Sequence, residues 1–457
     1  MIRIKRGLTL PLVGEPEQSV FPSPAITHVG VALADYRGLQ PQLLVQDGER
    51  VCTGQALFCD ADTTAIRVTS PATGVVRVQT GADGARTLSI AVEADEFVEF
   101  SRFAEAELPA LTDAQVRQQL LAAGLWPAFR TRPLQNVPGS DIKPHAIFVT
   151  AMDTQPLAPR AERLIEADLT AFSQGLTVIS HLTRGLVYVC KAPAAYVPVP
   201  DIVNIKVEEF AGKHPAGLAG THIHFLDRIG AGSDKQVWSI NYQDVMAIGR
   251  LFVTGRVDAE RIIALAGSQV VDARLLRVRL GADLRELNAG QLKSESCSII
   301  SGSVLHGRQI SDDQPYLGRY HQQVSVLPTV PTTAQRWWGL GARQFSALPI
   351  FLARLLRIKK YRICSDTNPS PQPPVITAAY ERVWPLRMPV LPLLEALVAQ
   401  DMERAIKLGA LELADEDLAL CSFVCPGKQN YGALLRAVLE QANQSNAVQS
   451  TAAEGSE

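Results

Sequence analysis

Apolar positions change period several times along this chain, and the changes divide it before any residue is given a role. Residues 1 to about 100 give short alternating runs broken by Gly and Pro, ending in Thr87-Leu-Ser-Ile-Ala-Val92, and predict β-strands. From about 104 to 122, Leu108, Leu111, Val116, Leu120 and Leu121 share one helical face. His145 to Thr150 is the continuous apolar run of a buried parallel strand. Pro159 to Phe172 predicts a helix through Leu164, Ile165, Leu169 and Phe172, and Leu186–Cys190 and Ile202–Val207 predict further strands. Residues 241 to 255 return to helical spacing through Val245, Ile248, Leu251 and Phe252. That rhythm predicts a Rossmann-like α/β unit. After Gly255, strands at Arg261–Gly267, Leu275–Gly281 and Ser298–Leu305 surround a short helix at Asp283–Leu287, a small β-grasp-like pattern. From about 333 to 440 helical spacing prevails, with Leu391, Leu394, Leu397 and Val398 on one face. Gln441 to Glu457 has almost no bulky apolar residue and predicts a disordered tail.

Composition narrows the class. With 457 residues, 47% hydrophobic and 20% charged, the chain has room for about three soluble domains. A formal net charge of −2 gives no basic face for nucleic acid. The run Arg354 to Lys360 predicts one cationic helix face. The basic start Met1–Gly7 is followed only by the proline-bordered stretch Leu8–Gly14, too short for a signal sequence. No window holds about eighteen uninterrupted apolar residues, and the best stretch, Phe345 to Ile358, is broken by arginines. Membrane association is therefore expected through a partner. Seven scattered cysteines fit a reducing cytoplasm.

Candidate chemistry begins at Val45 to Val76. Asp47-Gly48, Thr53-Gly54-Gln55 and then Ser70-Pro71-Ala72-Thr73-Gly74 resemble the two-part phrase of biotinyl and lipoyl carrier barrels, yet the intervening tip Asp60–Thr69 holds no lysine. The slot for a phosphate loop, Gly124 to Pro133, has one glycine where a cradle needs several, and Trp126 and Pro127 fill it. His222 and His224 would project from one face of a strand, with His214 or Asp227 as a third metal ligand, against hydrogen-bonded structural histidines. Cys421 and Cys425 are too few for an iron–sulfur cluster, so buried helix-end thiols are expected. Asp153 follows a strand where α/β sheets bind ligands, or caps the next helix.

Longer phrases then carry a resemblance. Met1-Ile-Arg-Ile-Lys-Arg-Gly-Leu-Thr-Leu-Pro11, Phe148–Thr154, His214–Phe225, Ile300–Leu305, Tyr316-Leu-Gly-Arg-Tyr-His321, Tyr380–Val383 and Leu420–Lys428 are similar to the NqrA family, the A subunits of bacterial sodium-translocating NADH:quinone oxidoreductases. The matches run in order to about residue 440, and the segment 329–375, with Trp337-Trp338 and Asn368–Pro374, is least similar. The related C subunit of the Rnf complex retains a flavin loop and clustered cysteines that this chain lacks. The resemblance implies an α/β multidomain fold: a lysine-free biotinyl/lipoyl-like barrel-sandwich domain at 1–103, a Rossmann-like domain at 104–256, an SLBB-type β-grasp-like domain at 257–330, a helical C-terminal domain at 331–440 and a tail at 441–457. It further implies a peripheral subunit on the cytoplasmic face of the inner membrane, partnered by the other subunits (B to F) and especially by the membrane-embedded B subunit. Electrons pass in such a complex from NADH to ubiquinone as sodium is exported. FMN, riboflavin, FAD and iron–sulfur centres are implied in the partners, with no cofactor, metal or catalytic residue expected in this chain. Ubiquinone contact is expected at Trp126, Phe129, Arg130 and Arg132, flat rings beside guanidinium donors. The alternative is a stand-alone nucleotide- or metal-dependent enzyme built on the α/β domain.

Overall fold

The computed structural model describes residues 1–82, 84–230, 235–329, 360–364 and 378–454. The run at 354–359, the stretch Phe345–Ile358, Trp337-Trp338 and Asn368–Pro374 lie outside the described residues.

Alternating residues of the first domain close two small sheets over one core. His28–Ala32, Arg86–Val92, Gly74–Thr80 and Arg50–Val51 form one sheet, and Pro41–Leu43, Ala56–Asp60 and Arg67–Thr69 the other. Val29, Val51, Phe58, Val76, Leu88 and Ile90 meet between them. The first two strands of the chain pair outside these two barrel sheets. Ile2–Ile4 pairs in parallel with Ile205–Gly212 in the α/β sheet, and Glu17–Pro22 pairs in parallel with Arg274–Arg279 in the third sheet. A parallel pair has no connecting turn to mark it, so the alternation at Ile2 and Ile4 shows an apolar face but not its partner.

The α/β sheet runs Ile2–Ile4, Ile205–Gly212, Val187–Lys191, Ala146–Ala151, Val237–Asn241 and Arg130–Arg132, parallel except for the last. Helices Leu169–Ser180 and Tyr242–Thr254 pack together on one face, where Phe172, Leu176, Val245 and Leu251 are buried. The helix Ala219–Leu226 lies on the other, over Phe148, Cys190 and Phe210. The single helix expected over 159–172 is two, Ala161–Glu166 and Leu169–Ser180. Asp168 divides them, because its carboxylate accepts Ala171 N–H at 3.0 Å as an N-cap.

The third sheet orders Arg308–Gln309, Cys297–Ser301, Gln323–Pro328, Glu260–Ala266, Arg274–Arg279 and Glu17–Pro22, with the helix Leu284–Asn288 capped by Asp283. Its β-grasp arrangement depends on Gln323–Pro328, a strand the periodicity reading passed over. At the C-terminal end, helices from Ala378–Val383 onward bury Trp384, Leu393, Leu397, Leu418 and Tyr431 in a separate core. The last helix runs Tyr431–Glu454 where composition predicts a disordered tail from 441. Burial of Leu435, Val438, Leu439 and Ala442 anchors its first half, and an anchored helix propagates into good helix formers at little cost. Among the described residues no helix is long and apolar enough to cross a membrane.

Candidate functional site

The carrier-like tip is tied back onto the neighbouring domain at two points, although Ala61, Asp62, Thr64, Ala65 and Arg67 along it are exposed. Ile66 is 2% exposed and belongs to the core of the α/β domain. Thr69 Oγ1 donates to the Ala123 carbonyl at 3.0 Å. Gly124 turns there with φ +70°, and a Cβ on it would lie 2.5 Å from Thr69 Oγ1. The hairpin that carriers expose to a partner enzyme is here an anchor between two domains.

The loop that follows Gly124 is filled from within. Trp126 and Phe129 are both 0% exposed, with ring centroids 5.9 Å apart, and each packs on Trp238 at 5.3 and 5.4 Å. Trp126 Nε1 donates to the Pro138 carbonyl at 2.8 Å. Arg130 stacks on the Tyr320 ring at 4.2 Å, and burial lowers its affinity for a proton. Arg132, 1% exposed, lies 4.0 Å from the Asp417 carboxylate. These four residues therefore form no flat exposed platform for a quinone headgroup, which corrects the sequence reading. Aromatic rings beside arginines have the same composition in a core as on a surface, and only the third ring, Trp238, distinguishes the two.

The histidines sit on a helix, not a strand. His222 and His224 lie in Ala219–Leu226, where residues two apart point to different faces. His222 donates Nε2–H to the Ala216 carbonyl at 2.9 Å and packs on Phe210, and burial pushes it down to about 4. His224 Nε2 accepts Arg387 N–H at 2.7 Å, so its Nδ1–H must be the donor to Glu412 Oε1 at 2.7 Å. His214 Nδ1 lies 3.2 Å from Thr154 Oγ1, which accepts Gly217 N–H, and burial pushes His214 down to about 3. Asp227, the other proposed ligand, pairs with Lys235. Among the described residues no group of three His, Cys, Asp or Glu is placed to hold a metal.

Asp153 lies beyond the carboxyl end of Ala146–Ala151, beside the point where the strand order reverses toward Val237–Asn241. It caps no helix: Oδ1 accepts Gln155 N–H at 2.7 Å, and the next helix begins only at Ala161. Burial pushes its carboxyl up to about 7. The folded form thus binds this proton more tightly than the unfolded chain, so the group's contribution to stability is lost as pH rises from about 4 through about 7. Asp153→Asn keeps the acceptor and removes the titration. Its stability relative to the parent is expected to rise between pH 5 and pH 8 in urea denaturation, and a difference constant with pH would refute the assignment.

The first turn of the helix Ala219–Leu226 packs tightly enough to demand glycine at its second residue. A Cβ on Gly220 would lie 2.3 Å from both carboxylate oxygens of Asp417, itself held by Ala414 N–H at 2.8 Å. Gly220→Ala is expected to cost about 1–3 kcal/mol by overpacking the seam with the C-terminal helices. Equilibrium denaturation checks it, with no change in midpoint as the contrary result.

Cys421 and Cys425 are buried and free, as expected of helix-end thiols. Burial pushes both up. For Cys425 this is outweighed by the Tyr380 hydroxyl, the Gln429 N–H, the Tyr431 hydroxyl and the Gly427 N–H, which hold the thiol below its usual range.

Three domains meet at charges that the sequence reading never selected. Asp244, at the start of Tyr242–Thr254, pairs with Arg261 of the third sheet and with Arg319 Nη2 at 2.9 Å. All three side chains are buried. Burial pushes Asp244 up, but Arg319 and Arg261 outweigh it and hold the carboxyl below the usual range. Asp35 of the barrel accepts the Arg319 N–H at 2.9 Å and lies 3.2 Å from Arg308. Tyr320 donates to the Pro127 carbonyl at 2.8 Å. The phrase Tyr316–His321 was visible in sequence, but its junction role was not, since its partners lie far away in the chain.

Three family models match this chain: an NqrA N-terminal barrel-sandwich hybrid domain over residues 2–95, an NqrA second alpha/beta domain over 111–257 and an NQRA C-terminal domain over 262–312. Among relatives, the A subunit of the Na(+)-translocating NADH-quinone reductase of Saccharophagus degradans is 46% identical over 439 residues, covering 95% of this chain and 98% of the relative. The protein of the same name in Neisseria meningitidis serogroup B is 45% identical over 445 residues, covering 96% and 99%. That of Pseudomonas aeruginosa is 46% identical, covering 95% and 98%. Among solved structures, an NAD+-reducing [NiFe]-hydrogenase in the H2-reduced state aligns at a TM-score of 0.36 and 12% identity, over 51% of this chain and 52% of that one.

Proposed function

The chain belongs to the NqrA family, the A subunits of the Na(+)-translocating NADH-quinone reductase, and on that premise we propose that it is a peripheral subunit on the cytoplasmic face of the bacterial inner membrane, without a tightly bound redox cofactor of its own. In this reading it supports the ubiquinone-reducing end of the complex, and the membrane-embedded B subunit is its principal partner among the remaining five, B to F. FMN, riboflavin, FAD and the iron–sulfur centres reside in those partners.

The observation that carries the cofactor-free reading is the loop Gly124–Pro133. Trp126, Phe129 and Trp238 pack where a glycine-rich backbone would approach a phosphate, and replacing that aromatic cluster by a ligand would unmake the domain core. The lysine-free tip, spent on anchoring Ile66 and Thr69, supports the same reading. Two measurements test it. Membranes solubilised in mild detergent should yield this chain together with hydrophobic partner subunits, and its recovery alone would overturn the assignment to the membrane complex. Acid extraction of the purified chain should release flavin and nicotinamide far below one equivalent. A full equivalent of either would establish the α/β domain as a nucleotide site instead.

A further inference from the structure

The outer margin of the α/β sheet exposes apolar side chains together with cationic groups that form no ion pair among the described residues. Ile205–Gly212 is paired on its outer side only at Phe210, Ala211 and Gly212, by Ile2–Ile4. The crossover leading into that strand has no charged residue from Ala192 to Pro200. Val197 and Val199 pack against the domain core and pin the crossover to the sheet. Tyr196 is left 63% exposed and Val203 fully exposed at 103%, with Leu186 and Val207 partly exposed beside the same strands.

Charge on this margin is one-sided. Lys206 pairs with Glu208 at 2.8 Å and Lys191 with Glu209 at 2.9 Å, which neutralises those carboxylates. Arg3, Lys5, Arg6, Arg184 and Lys213 are exposed and form no ion pair among the described residues, against the single acid Asp201. The whole chain has a formal net charge of −2, so this cationic margin is a local feature.

We propose that this margin docks on an anionic lipid surface, with Tyr196 and Val203 entering the headgroup region and the surrounding guanidinium and ammonium groups meeting lipid phosphates. The charge-free crossover favours lipid over an acidic protein, because it can enter the headgroup layer without desolvating a charge. An amphipathic ring such as Tyr196 suits that depth, with its hydroxyl remaining at the polar side. The inference stands on this margin alone. It concerns the isolated chain, so its failure leaves the assignment to the reductase untouched.

Co-sedimentation of the full chain with vesicles of phosphatidylcholine, with and without phosphatidylglycerol, tests it. Binding is expected only to the anionic vesicles, weakening as salt is raised, since exposed charges are screened over about a Debye length. Arg184→Glu combined with Lys213→Glu should weaken it by roughly tenfold or more, each basic group near the surface contributing comparably. Tyr196→Asp with Val203→Asp should also lower binding, while the thermal midpoint stays that of the parent because both sites are solvent-exposed. Three results would each overturn the proposal: no binding by the parent chain, equal and salt-independent binding to both vesicle types, or variants that bind like the parent.

Discussion

Replacing Asp244 with alanine is expected to destabilise the chain by about 3–5 kcal/mol, among the largest single-residue effects in the molecule. The carboxylate is buried and answers two buried guanidiniums, Arg261 and Arg319, which approach from the third sheet and from the Tyr316–His321 segment. Removing it leaves two uncompensated cations in a poorly solvated junction, and the loss exceeds what the attraction alone contributed. Asp244→Asn, which keeps an acceptor but no charge, should fall between. Chemical denaturation of the three forms measures this. A loss below about 1 kcal/mol for the alanine variant would show that water reaches the junction and screens the arginines.

Trp126→Ala is the second large effect, expected at about 3–5 kcal/mol from the cavity left between Phe129 and Trp238. The indole also donates to the Pro138 carbonyl and lies under the Arg117 guanidinium, 5.3 Å from its centroid. The truncation therefore removes packing, a hydrogen bond and a cation–π contact together. The same variant separates two roles for the loop. A core residue loses stability first, with quinone reduction by the assembled complex lost only as the subunit unfolds. Full stability with weakened quinone affinity would restore a surface role for Trp126 and Phe129.

These predictions rest on partners that the sequence does not place. Strands and helices were legible where a local period betrayed a buried face, as in Ala146–Ala151 and Tyr242–Thr254. Legibility failed where local pattern was ambiguous. His222 and His224 alternate as strand residues would, but Pro215 to Thr221 builds a turn whose carbonyls and hydroxyls start a helix. Asp153 could by sequence cap a helix or face a ligand, yet the chain after it bends and turns at 155–157 before any helix begins at Ala161, and its carboxylate closes that local turn. At the Trp126 loop the bulk of the side chains is legible in the sequence but their burial is not, because bulk belongs to the residues themselves whereas exposure depends on what covers them, here Trp238.

By itself the sequence determined the family, the fold class and most of the elements, since hydrophobic periodicity and long motif phrases are local properties carried by neighbouring residues. Tertiary structure alone decided where the charged and aromatic groups act. His224 meets Glu412 across 188 positions and Arg319 meets Asp35 across 284. The opening residues leave the barrel to join two other sheets. A buried charge must find its counter-charge, and an unpaired strand its neighbour, wherever the chain returns. Those encounters are set by packing the whole molecule, and they leave no local trace in the sequence.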